Sequence, residues 1–112
     1  RTSYYNVPVN AKPGSHFNPW TLMRELVKTN DFVVVKLDID GAGGVEVELV
    51  KQLIADPHLR SLVDEFYWEH HTYRNPMVHL GWKDSGRGQI IEGSYQLFSQ
   101  LRQLGIRAHS WV

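Results

Sequence analysis

"VVVKLDIDGAGG", Val33 to Gly44, is the stretch on which the reading of the fold turns. With Phe32 in front, it opens on four consecutive apolar residues, three of them β-branched. A run without alternation predicts a strand, Phe32–Ile39, covered on both faces as in a parallel sheet. The strand ends in two carboxylates one residue apart, Asp38 and Asp40, and then in Gly41-Ala42-Gly43-Gly44. Acids in that place either do chemistry or cap and turn the chain, and Asp-Gly is a common turn pair. A glycine-rich turn before a helix can cradle phosphate. No lysine follows in Walker position, however, and the glycine spacing is not a dinucleotide fingerprint.

Working outward, the chain alternates strand and helix. Arg1–Phe17 holds two prolines and a Pro13-Gly14 turn signal, which predicts an extended entry and a loop, with a short edge strand within Tyr4–Val9. "NPWTLMRELVKTN" predicts a helix: Asn18 caps it and Pro19 takes its first position. Leu22, Met23 and Leu26 give the apolar stripe, and Lys28 and Asn30 close it. Val45–Ala55 predicts a second helix, although its first residues also alternate like a strand, and Pro57 stops it. Leu62–Trp68 predicts a strand running into Glu69-His70-His71. Thr72–Gly88 reads as a long loop, uncommon in a small domain and more often functional or disordered. Gln89–Leu104 is a helix with a wide apolar face and Gly105 as its stop, and Ile106–Val112 is a last strand.

This rhythm is that of an α/β fold with parallel crossovers. The 112 residues suit one small domain, whose core is adequate but not generous. Three or four strands make a poor sheet by themselves, so more chain or a protein partner is expected to complete it. Twelve basic and twelve acidic side chains balance, which argues against a broad nucleic-acid or anionic-membrane surface. No cysteine is present for a disulfide framework or a thiolate metal site. No apolar run approaches the ~20 residues of a transmembrane segment. The start, Arg-Thr-Ser-Tyr-Tyr without a methionine, shows no signal-peptide pattern and is expected to be a processed or cut end.

In open α/β sheets, ligands bind beyond the carboxyl ends of the strands. Asp38 and Asp40 fall there after one strand, and Glu69, His70 and His71 after the next. Neighbouring strands lie ~4.8 Å apart, so the two groups could meet around one ligand. The histidines emerge from Phe66-Tyr67-Trp68, an apolar approach that perturbs protonation and suits a base or a metal ligand. The plain alternative is that they reach solvent as polar strand-end residues. Lys36, inside the strand, is expected to be buried against Asp38 or Glu65. His16, His58, His79 and His109 have no ligand spacing. Tyr73, Trp82, Lys83 and Arg87 give the long loop an aromatic-basic mixture that could grip a ring-bearing or anionic ligand, or simply pack.

Lys36-Leu37-Asp38-Ile39-Asp40-Gly41 resembles the lysine, apolar, aspartate, apolar, acid, glycine motif in the C-terminal half of FkbM-type methyltransferases. These are a branch of the class I S-adenosylmethionine-dependent fold. Glu69-His70 resembles the acid and histidine that end the family's next strand, and the order of segments from Tyr4 to Val112 is similar to methyltransferase-like proteins of algae and plants. The family usually has glutamate where Asp40 stands and a second acid soon after the glycine, whereas here Gly43-Gly44 intervene before Glu46. The glycine-rich turn that holds the cofactor's methionine moiety, and the acid that holds its ribose, are not among these residues. The resemblance implies one partial domain over residues 1–112, the substrate-side half of a Rossmann-like methyltransferase sheet. It implies methyl transfer to an oxygen nucleophile of a small molecule once that sheet is complete. Asp38 and Asp40 would line the cleft, and Glu69 or His70 would orient or deprotonate the nucleophile. Two other readings stand beside it: a catalytically inactive interaction subunit of a larger assembly, and a metal-dependent glycosyltransferase using Asp38-x-Asp40.

Overall fold

Val33 shows how the sheet is assembled. Its carbonyl accepts the Asp64 and Glu65 amides, while its own N–H donates to Asp64 Oδ2 at 2.7 Å. This clamp fixes the start of strand β1 (Val34–Leu37) against β2 (Glu65–Trp68), and the two run parallel with Val35 opposite Phe66 and Leu37 opposite Trp68. β3 (Arg107–Ser110) adds to the other side of β2, also parallel, with Ala108 opposite Phe66. The sheet order is therefore β1-β2-β3. These elements come from a computed structural model, which describes residues 2–39, 44–72, 80 and 90–111. Asp40, the glycines at 41 and 43, and the loop residues Tyr73, His79, Trp82, Lys83 and Arg87 lie outside the described residues.

Among the described residues α1 (Pro19–Leu26) precedes β1, α2 (Val45–Ala55) and α3 (Pro57–Ser61) lie between β1 and β2, and α4 (Ile91–Gln103) lies between β2 and β3. Asn18 caps α1 through its side chain on the Trp20 amide, with Pro19 at the first position as the sequence predicts. The helix ends early, at Leu26, because Val27 is extended, so Lys28 falls outside it. Pro57 does end α2, but it also opens α3, since Asp56 accepts the Leu59 amide as a new N-cap. Leu62 and Val63 are buried residues ahead of β2 rather than part of the strand. Tyr4–Val9 forms no strand, and the segment is exposed.

The core occupies one face of the sheet. Leu37, Phe66, Trp68 and Ala108 point into it and meet Leu49, Val50 and Leu53 of α2, Leu59 of α3, Phe98 and Leu101 of α4, and Trp20 of α1. That one-sidedness follows from topology. A sheet that grows β1, β2, β3 in one direction through crossovers of one hand receives its helices on one face. The alternate residues Val34, Lys36, Glu65, Tyr67, Arg107 and His109 occupy the opposite face and contribute nothing to the core. Val34 is 52% exposed, so the expected cover on both faces of this strand is not supplied by the described residues.

Candidate functional site

The carboxyl ends of β1 and β2 carry the side chains on which a site would be built. The last paired residues are Leu37 and Trp68, and the Glu69 amide then donates to the Leu37 carbonyl at 3.1 Å. Asp38 and Glu69 are therefore the next residues across from each other, on the face away from the core. Their side chains hydrogen-bond. Lys36 Nζ lies 2.6 Å from Asp38 Oδ2, and it is the main reason the Asp38 carboxyl sits below its ordinary value, with the Glu69 bond next. Lys36 thus finds the partner the sequence predicts, but not the burial. Its side chain is half exposed and lies over the Trp111 ring.

Glu46 completes the group, and only its place in the fold reveals this. It stands in the first turn of α2, where an acid ordinarily does no more than face the helix dipole. Instead it is buried, and Oε1 accepts the Ile39 amide at 2.6 Å. Burial raises its carboxyl above the ordinary range; Asp38 and Glu69 raise it further, while the Ile39 amide and His71 lower it. His71 also lowers Asp38. His71 thus acts on both Asp38 and Glu46.

His70 is placed differently. Its ring stacks on Trp68 at 4.0 Å between centroids, and Trp68 in turn packs against Phe98 in the core. Strand alternation explains the split: His70 follows the inward side of Phe66 and Trp68, whereas Glu69 and His71 follow the outward side. Of the four residues singled out in the sequence, Asp38 and Glu69 meet, His70 sits beside them on the core side, and Asp40 lies outside the described residues. Among the described residues no group of three His, Asp or Glu side chains has the arrangement of a metal centre.

Further along the open face, Tyr67 stacks on His109 at 4.7 Å. Trp111 meets the same tyrosine edge-on at 6.2 Å. Arg107 pairs with Glu65 at 3.3 Å and lies over Phe32. No helix among the described residues is long and apolar enough to cross a membrane. No family model, curated protein or solved structure matches the chain.

Proposed function

We propose that these residues are the substrate-side part of a methyltransferase-like fold, acting on an oxygen nucleophile of a small molecule with S-adenosylmethionine as methyl donor. The observation that carries this reading is the meeting of Asp38, Glu69 and His71 beyond the carboxyl ends of two adjacent parallel strands, the place where α/β sheets bind ligands. Methyl transfer asks mainly for alignment and one proton acceptor. Two carboxyl groups at adjacent strand ends, with an imidazole beside them, offer such an acceptor. The glycine-rich cofactor turn is not among these residues, so the cofactor's main grip must come from polypeptide that completes the sheet.

The test is in two steps. Calorimetry of these residues alone should show S-adenosylmethionine binding weaker than micromolar, because the remaining contacts must still overcome association entropy. Joined to a cofactor-binding half, the chain should form S-adenosylhomocysteine, and Asp38→Asn and Asp40→Asn should each reduce turnover. Micromolar binding by the fragment, or turnover indifferent to both substitutions, would overturn the reading.

The bare sheet face supports a second reading, that of an interaction subunit without catalysis. Parallel sheets are almost always covered on both faces, and here Val34, Tyr67 and Trp111 stand on a face with no helix layer among the described residues. An assembly in which the chain is required while Asp38→Asn and Asp40→Asn are silent would favour that account.

A further inference from the structure

Among the described residues Glu46 is the only buried ionisable side chain, and the amide it accepts from lies outside its own helix. α2 starts at Gly44, whose φ of 76° is left-handed and which offers no side-chain cap. The glutamate two positions later ignores the open amides of its own helix and reaches back seven residues to Ile39. Ile39 follows directly on Asp38, beyond the last paired residue of β1. There the backbone amide has left the ladder, and a carboxylate takes the place of a strand carbonyl. A charged acceptor makes that bond stronger than a neutral one would be.

We propose that Glu46 is the positioning residue of this site: it clamps the backbone immediately after Asp38, and so holds the Asp38 carboxyl opposite Glu69. The proposal rests on the cluster being a functional site, but the clamp itself does not depend on which reaction occurs there. The groups that act on Glu46 come from the ends of both strands. Asp38 after β1 and Glu69 after β2 oppose its negative charge, and His71 after β2 favours it. A change of charge at His71 therefore alters Glu46, and through the 2.6 Å bond it alters the Ile39 amide. That amide is the natural reporter.

The experiment is nuclear magnetic resonance on the whole chain, following the Ile39 amide from acid to neutral pH together with its hydrogen exchange. In the wild type the Ile39 amide shift should titrate with the Glu46 carboxyl. In Glu46→Gln, which keeps an acceptor but no charge, the part of the titration that follows Glu46 should vanish, leaving only that of the neighbouring Asp38, while Ile39 stays protected. In Glu46→Ala, Ile39 should exchange at least about tenfold faster, the change expected from losing a charge-assisted hydrogen bond. Phe66, in the middle of the sheet, should remain protected in both variants. An Ile39 amide that exchanges equally slowly in Glu46→Ala overturns the proposal. So does a wild-type Ile39 shift that never titrates, a comparison that survives even if Glu46→Ala does not fold. Neither readout needs methyl transfer, so failure of the proposed reaction leaves this test standing.

Discussion

Glu46 and Asp38 respond to pH in opposite directions, and each gives a prediction at the scale of one residue. Burial raises the Glu46 carboxyl in the folded chain, so the native state holds that proton more tightly than the unfolded state does. Its stabilising effect is full below the ordinary glutamate range and is lost as pH rises through the raised value. Glu46→Gln should therefore have a thermal midpoint at or above the wild type at pH 7, with the difference closing as pH is lowered. For Asp38 the sign reverses: Lys36 lowers it, so its contribution is present above the ordinary aspartate range and fades as pH falls through the lowered value. The pair is exposed, so Asp38→Asn should barely move the midpoint, and its effect belongs to turnover. The two histidines should separate in the same way. His70→Ala removes the ring stacked on Trp68 and should cost roughly 0.5–1.5 kcal/mol by urea unfolding. His71→Ala should leave stability within about 0.5 kcal/mol and, in the completed enzyme, cut turnover by about 10²–10⁴ if it is the proton acceptor. Equal stability losses in both would contradict the alternation that separates them. Asp38 and Glu69 could be foreseen because parallel register brings two strand ends together. Glu46 could not, because an acid in a first helical turn has a sufficient local explanation.

At the scale of elements, capping chemistry was readable and packing-determined ends were not. Asn18-Pro19 announces a helix in any context, and α1 begins there. The same asparagine also does something no local pattern shows: its amide donates to the Lys12 carbonyl at 3.3 Å and to Gln52 Oε1 at 3.0 Å. Gln52 returns a bond to the Ala11 carbonyl, so the entry loop is tied to α2. Asn18→Ala should remove the cap and leave buried groups unpaired, costing about 1–3 kcal/mol, read as a lower urea midpoint at an unchanged slope. A loss of a few tenths would mean that the loop is held by other contacts. Pro57 carries a complementary lesson. Proline ends a helix by lacking an amide, yet suits the first position of the next, and Asp56 before it was the cap signal that mattered. Tyr4–Val9 has strand-like residues but pairs with no strand among the described residues, and β propensity without a partner makes no sheet.

For the whole molecule, a parallel sheet with its first two strands as neighbours follows from the apolar run and the crossover length, both visible in the sequence, whereas the place of β3 beside β2 comes from the structure. Among the described residues the apolar run at Val33–Val35 has one side open, the lack of cover expected of so few strands. The edge of β1 is open as well. Val33 and Leu37 turn their carbonyls toward β2, so the backbone groups of Val34 and Lys36 point the other way, where no strand pairs among the described residues. An unpaired edge beside an uncovered face is a template for another strand. In the isolated, dilute chain the amides of Val34 and Lys36 should exchange nearly as fast as in unfolded peptide, while those of Phe66 and Tyr67, between two strands, should be among the slowest. β3 offers the internal comparison. Its Arg107 amide donates to the Asp64 carbonyl, and Arg102 Nε covers the Ala108 carbonyl on its outer edge. A polypeptide that completes the sheet, whether it brings the cofactor or only an interface, should slow Val34 and Lys36 selectively and leave Arg107 unchanged. If the chain alone and monomeric already protects Val34 and Lys36, the edge is covered from within, and both readings that depend on a completing polypeptide lose their structural ground.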